Sequence, residues 1–313
     1  MPPSTRRGFL AACAVAGTSP VTLGTTTSAE EALPMETIRF CLNTSTIRGQ
    51  QLSLEQIVDL AAAAGYQCIE PWIREIEAYR DAGKSLPDLR KRIADHGLTV
   101  ASSIGFAHWL VDDDQERRRG LEQLKRDMEL IRSLGGRLIA APPVGMQQAD
   151  APRVDLRIAA ERYCAALEVG REMDVIPQLE VWGFSRNLSR LSETAFVAVE
   201  SNHPDACILP DVYHLYKGGS GFQGLGMLSG NVIHCFHVND YPADPPRTEI
   251  NDSKRVYPGD GIAPWKEIVG ALNQIGFSGV VSLELFNEAL WKQDPALVLK
   301  TGLEKMKALF APK

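Results

Sequence analysis

Eight strand-like runs, each followed by a helix-like segment, fill residues 30–313 and predict a (β/α)8 TIM barrel, an α/β fold in a single domain. Three observations carry this reading. Strands and helices alternate along the whole segment, as they do when a parallel sheet is wrapped in helices. The number of units and the length both suit one barrel. The rival, a doubly wound sheet, wants a glycine-rich phosphate loop after its first strand, and "CLNTSTIRGQ" (41–50) is not one.

The elements follow in order. "TIRFCLN" (37–43) reads as the first strand, and the helix over 53–64 ends at a glycine stop. "QCIEPW" (67–72) is the second strand, with a helix near 86–96. "LTVASSIGF" (98–106) precedes the long helix 114–134, closed by Gly135 and Gly136. "RLIAAPP" (137–143) leads into a helix over 153–173, and "VIPQLEVW" (175–182) into one near 190–201. "CILPDVY" (207–213) is followed by a short, glycine-broken helix near 221–229. "VIHCFHV" (232–238) leads to a helix over 264–275, and "GVVSLELF" (279–286) to the last helix, 295–310. The connection 239–262 is long for a strand-to-helix loop, and loops of that length are usually functional or disordered.

Composition excludes several classes. The 313 residues are 44% apolar and 23% charged, ordinary for a globular protein, and no apolar run is long enough to span a membrane. The net charge of −6 argues against nucleic acid or anionic lipid as a partner, since both need clustered Lys and Arg. "TRRGFL" (5–10) resembles a twin-arginine export signal, and "TTTSAEEA" offers a small-residue cleavage site near Ala29. Residues 1–29 are therefore expected to be a cleaved leader, and the mature barrel to be periplasmic or secreted with no membrane contact. Loss of Arg6 and Arg7 takes the charge from −6 to −8. Five of the six cysteines lie beyond the leader, an odd number that argues against a complete disulfide framework; Cys41, Cys68, Cys207 and Cys235 read as small core residues.

Strand residues i and i+2 share a face. In the last four strands one face ends in Glu180, Asp211, His237 and Glu284, while the opposite faces are mostly apolar and suit packing against helices. The first set must point into the barrel and gather at the C-terminal rim, where the active sites of such barrels lie. Three carboxylates converging with one imidazole raise one another's pKa unless a positive charge joins them. One divalent metal ion resolves this. Mn²⁺, Mg²⁺, Co²⁺ and Zn²⁺ all suit an oxygen-rich set with one nitrogen, which makes His237 the nitrogen ligand.

"LEVWG" with Glu180, "PDVYH" with Asp211 and His214, "FHVNDYP" with His237 and "SLELF" with Glu284 together resemble the xylose isomerase-like barrel superfamily, in its sugar isomerase/epimerase branch. The resemblance covers essentially all of the mature chain. It implies a metal held by Glu180, Asp211, His237 and Glu284, with Glu180 and Glu284 as the catalytic pair. It implies substrate contact by His214 and by Glu70 in "IEPW", with His108, Trp109, Trp72 and Trp182 as further candidates to line the pocket. It also implies an arginine after the histidine ligand. The loop offers Arg247, Lys254 and Arg255; Arg247 is the candidate adopted, with the choice among the three left open.

The expected chemistry is removal of a proton beside a carbonyl, through an enediolate, on an unphosphorylated ketose, keto-sugar or cyclitol. The proton's return gives an epimer or isomer; loss of a hydroxyl gives a dehydrated keto-inositol or 3-keto sugar, the alternative reading. A hydrolytic endonuclease or phosphodiesterase would need more metals and more histidines than the strand ends supply, and a non-catalytic sugar-binding barrel would not need both glutamates. The sequence leaves open the oligomeric state, a homo-oligomer included.

Overall fold

A computed structural model describes residues 38–311. The expected leader, its boundary near residue 29 and the first residues of the mature chain lie outside the described residues.

Eight parallel strands form the barrel: β1 (Arg39–Asn43), β2 (Cys68–Glu70), β3 (Thr99–Val100), β4 (Leu138–Ala141), β5 (Ile176–Glu180), β6 (Ile208–Leu209), β7 (Cys235–Val238) and β8 (Val280–Leu283). Ladder pairing runs in the orders β3-β2-β1-β8-β7 and β4-β5-β6. Two contacts close the ring. The Ala140 N–H donates to Ser103 O at 2.8 Å between the third and fourth units. Asp211 and His237 form a parallel bridge between the sixth and seventh, with the His237 N–H on Pro210 O at 3.0 Å.

The helices are α1 (Leu54–Ala64), α2 (Ile73–Asp81), α3 (Leu86–Asp95), α4 (Asp114–Ser133), α5 (Leu156–Met173), α6 (Leu191–Glu200), α7 (Val212–Gly218), α8 (Trp265–Gln274) and α9 (Pro295–Phe310). Their starts are written in the sequence. Ser53 and Gln56 form a reciprocal capping box on α1, and the carboxylates of Asp113, Asp155 and Asp294 cap α4, α5 and α9. Two helices fall where a loop or strand was expected. α2 begins directly after β2, its first turn tied by Glu75 accepting from the Trp72 N–H at 3.0 Å. α7 begins at Val212, because Asp211 is its N-cap rather than a residue within a strand. Both follow strands of only two or three residues, so the helix begins earlier than alternation alone suggests.

Side chains facing the outer helices form the large apolar core, with Phe40, Leu42, Ile69, Leu179, Phe236, Val281 and Leu283 buried. Facing inward, Cys41, Cys68, Ala101, Leu209, Cys235 and Val280 form a separate cluster of mostly small side chains. A two-residue step along each strand leads from this plug to a polar group: Cys41 to Asn43, Cys68 to Glu70, Leu209 to Asp211, Cys235 to His237, and Val280 through Ser282 to Glu284. The pleat thus lifts one polar layer onto one apolar layer. Cys41, Cys68, Cys207 and Cys235 are buried and free, as expected of core residues.

Candidate active site

At the C-terminal rim, donor atoms of Asp211, His237 and Glu284 lie within 4.8 Å of one another, all buried. His237 Nδ1 is 3.3 Å from Glu284 Oε2 and 3.8 Å from Asp211 Oδ2. Glu180 stands outside this tight group but faces the same cavity, and its Oε2 is buried with no hydrogen-bond partner. The cavity encloses about 280 Å³. Its polar wall is Glu180, His214, Asp252, Arg255 and Glu284. The rest is aromatic: Trp72, Phe106, Trp182, Phe184 and Phe286, with Ile104.

Local chemistry explains each placement. As the N-cap of α7, Asp211 accepts from the His214 N–H through Oδ1 at 2.7 Å, which leaves Oδ2 facing the barrel axis. The spacing Asp211-x-x-His214 is therefore a helix start, and it sets the His214 ring in the pocket wall. Gly183, just after β5, lets the backbone of α7 approach: a Cβ there would meet His214 O at 2.1 Å. Asn239 donates through Nδ2 to Asp211 Oδ2 at 2.8 Å and accepts from the Tyr213 N–H at 2.8 Å.

Next to it, Asp240 accepts from the N–H groups of Tyr241, Gly259 and Ala263 and from Trp265 Nε1, at 2.8–2.9 Å. Asp240 also bridges Val256 in the backbone. The long loop is thereby folded back on its own root. Gly261 sits so close to the Asp240 carboxylate that a Cβ would lie 2.3 Å from Oδ1.

The folded loop places Arg255 at the site. This side chain is 1% exposed. Its Nη1 donates to Asp211 Oδ2 and Glu284 Oε2, each at 2.9 Å, and Nη2 lies 3.1 Å from His214 Nε2. Arg255 also bonds Asp252 and stacks over the Tyr213 ring, 4.6 Å from its centroid. Arg247, by contrast, is exposed on the same loop and donates to Lys217 O at 3.0 Å, away from the pocket lining. His108 is also outside the lining: it pairs with Glu116 at 2.7 Å on a half-exposed face. Trp109 is wholly buried, its indole N–H on Pro142 O at 2.8 Å. Of the aromatic candidates, Trp72 and Trp182 do line the cavity.

Glu70 is completely buried below the pocket instead of lining it. Its Oε2 accepts from Asn43 Nδ2 at 3.0 Å and Ser282 Oγ at 2.7 Å, and lies 3.0 Å from His237 Nε2. Asn43, the last inward residue of β1, also donates to Glu284 Oε1 at 3.1 Å and accepts from Trp72 Nε1 at 2.9 Å. The alternation that marked the last four strands marks Asn43 too, one step above Cys41. Arg255 carried no such signal, since long-range bonds to Asp240 decide which loop cation turns inward.

The electrostatics have one theme. Burial pushes the Glu180 carboxyl well above the usual carboxylate range; His237 opposes the rise, and Glu284 and Asp211 add to it. Burial acts the same way on Asp211, but Arg255, His214 and His237 outweigh it and hold that group below its ordinary value. For His237, burial disfavours the charged ring, yet Glu70 and Glu284 prevail and raise its pKa well above the ordinary value. Burial lowers His214.

Four buried carboxylates, those of Glu70, Glu180, Asp211 and Glu284, thus face one guanidinium and two imidazoles, and burial disfavours the charged form of one of these, His214. A divalent cation fits this set. It would meet oxygen donors on Asp211, Glu284 and Glu180 and the nitrogen of His237, and among the described residues neither His237 nitrogen nor Glu180 Oε2 has an aligned hydrogen-bond partner.

Comparison with known proteins finds relatives over most of the chain. A family profile described as xylose isomerase-like TIM barrel matches residues 58–309. An inosose isomerase of Bacillus velezensis is 26% identical over 275 residues, 87% of this chain and 97% of its own length. A D-psicose 3-epimerase of Agrobacterium fabrum is 23% identical over 239 residues, 73% of this chain and 78% of its own. Among solved structures, the IOLI protein with a bound zinc atom superposes with a TM-score of 0.80 at 21% identity, covering 87% of this chain and 98% of that one.

Proposed function

The chain belongs to the xylose isomerase-like TIM barrel family, and on that premise we propose that it is a divalent-cation-dependent sugar isomerase or epimerase. Its substrate is an unphosphorylated ketose, keto-sugar or cyclitol, and its chemistry is proton transfer at the carbon beside the carbonyl. The observation that carries this reading is the pairing of two buried glutamates, on strands three apart around the barrel, across one pocket that includes a cation-ligating group. The inosose isomerase and psicose epimerase relatives support it.

Asp211, His237 and Glu284, with Glu180, would hold the cation. When bound, the cation supplies a Lewis acid that polarises the substrate carbonyl and makes the neighbouring C–H acidic. The chain's own residues do the rest. Glu180 Oε2 has no hydrogen-bond partner among the described residues, so it is free to take a proton from one face of the substrate. Glu284 is oriented by Asn43 on one oxygen and Arg255 on the other, and exchanges a proton at the opposite face. His214 Nδ1, buried and without a partner, and the Arg255 guanidinium bind substrate oxygens. The aromatic wall excludes water and packs against the C–H face of the sugar.

The twin-arginine motif of residues 5–10 supports export of the folded, cation-loaded protein to the periplasm. The functional reading is tested by metal analysis of protein purified without chelator, followed by a screen of ketoses, 3-keto sugars and keto-inositols with and without chelation. One divalent ion per chain and chelator-sensitive turnover are expected. A chelated protein that stays fully active would overturn the proposal.

A further inference from the structure

We propose that Glu70 is a positioning residue for the cation site: it fixes the His237 ring so that Nδ1, and not Nε2, is offered to the cation. This rests on the cation site proposed above. The resemblance pointed instead to substrate contact by Glu70. The geometry points elsewhere, because Glu70 has no exposed surface and lies one layer below the cavity.

The argument starts from the two ring nitrogens. Nδ1 faces the carboxylates of Asp211 and Glu284, at 3.8 and 3.3 Å, where a cation has oxygen partners. Nε2 faces Glu70 Oε2 at 3.0 Å. An imidazole that gives one nitrogen to a cation carries its proton on the other, and a carboxylate there fixes both ring orientation and tautomer.

Glu70 is itself held from two further strands. Asn43 on β1 and Ser282 on β8 both donate to Oε2, the oxygen that faces the ring. Two donors on one buried oxygen, with the His237 ring nitrogen 3.0 Å from it, leave the carboxylate little freedom to turn. Its other oxygen, Oε1, meets the Cys235 thiol at 3.9 Å. A second trio, Glu70, Cys235 and His237, also brings its donor atoms within 4.8 Å. That trio is the rival arrangement, in which Glu70 would bind the cation directly through the Nε2 side.

The test is Zn²⁺ affinity of the full mature chain, stripped of metal and titrated against a chromophoric chelator, with substrate kinetics measured separately at saturating Zn²⁺. Glu70→Gln keeps the shape and removes the charge. The proposal predicts a Zn²⁺ dissociation constant raised about 10–100-fold, in line with loss of a metal ligand's supporting partner. It predicts an unchanged KM once Zn²⁺ saturates; the metal-free variant, which also loses the charge beside the buried His237 ring, should melt below the metal-free parent. Ser282→Ala, which removes one support of Glu70 and leaves its charge, should raise the constant by a smaller factor, also without a change in KM; it stands as the test if Glu70→Gln does not fold. Cys235→Ala should leave Zn²⁺ affinity unchanged.

A raised KM with wild-type Zn²⁺ affinity would overturn the proposal in favour of substrate contact. Loss of metal-free stability alone would overturn it in favour of a purely structural role. Abolished binding in Glu70→Gln together with weakened binding in Cys235→Ala would place the cation on the rival trio and overturn it as well. Failure of the unmutated protein to take up Zn²⁺ would instead overturn the cation site, and this proposal with it.

Discussion

Arg255 is the only guanidinium among the described residues that bonds both Asp211 and Glu284, so its removal tests the electrostatic account at its most exposed point. In Arg255→Met the apolar stem is replaced but the two carboxylates lose their shared donor, each 2.9 Å away. Removing one partner of a buried ion pair costs about 3–5 kcal/mol, because the charge left behind stays desolvated. For a domain of this size 1 kcal/mol moves Tm by about 2 °C, so metal-free Arg255→Met should melt about 6–10 °C below the metal-free parent at pH 8. A cation bound between the same carboxylates supplies positive charge in its place, and a ligand that binds only the folded state stabilises it. Added Zn²⁺ should therefore raise the Tm of the variant by more than it raises that of the parent. Scanning calorimetry with and without Zn²⁺ reads both numbers. A metal-free variant melting within about 1 °C of the parent would refute the reasoning, since it would mean that the carboxylates need no counter-charge.

Other outcomes follow from the same structure. Glu180→Gln and Glu284→Gln should each lower net conversion by about 10²–10⁴-fold, measured with metal content determined in the same samples. His214→Ala should keep its metal and raise KM, whereas His237→Ala should lose the metal; identical behaviour of the two would break the assignment of roles. Asp127 on α4 is 2% exposed, and burial pushes its carboxyl up to about 7 from an ordinary 3.8. A raised folded value means that the stability it confers is full below about pH 4 and is lost as pH rises through about 7. Asp127→Asn should therefore match the parent near pH 4 and exceed it at pH 8 by up to roughly 4 kcal/mol in urea unfolding, and equal stability at both pH values would contradict the burial argument.

Much of the fold was legible because period and punctuation agreed. α9 was expected over 295–310 and occupies those residues, and α1, α3, α4, α6 and α8 lie within about two residues of their expected bounds. The apolar runs are longer than the strands: β3 keeps two residues of the nine in "LTVASSIGF", and β6 two of the seven in "CILPDVY". Apolar character continues past the last ladder bond in both, as the chain turns over the rim; Ile104 remains buried and keeps only an isolated bridge to Trp72. Asp211, His237 and Glu284 were legible as a group, since a period of two puts each strand's last inward residue in the same layer, and Glu180 reaches the same pocket by that rule. Asn43 and Ser282 obey it too, but an amide and a hydroxyl at a strand end look like ordinary turn chemistry until their partners are known. Arg255, Arg247 and His108 were beyond its reach. Their positions depend on loop paths set by Asp240 and by the pairing of His108 with Glu116, bonds that no local period encodes.

The central claim is that Glu180 and Glu284 move a proton at the carbon beside a carbonyl, and deuterium incorporation tests it most directly. Protein carrying one divalent ion per chain would be incubated in D₂O with the best substrate from the screen of keto-sugars and keto-inositols. Product and recovered substrate would then be examined by NMR. A carboxylate exchanges its proton with solvent between turnovers, so the account predicts deuterium at the carbon next to the carbonyl, reduced in Glu180→Gln and Glu284→Gln. Turnover of that substrate in D₂O with no deuterium at that carbon would contradict it.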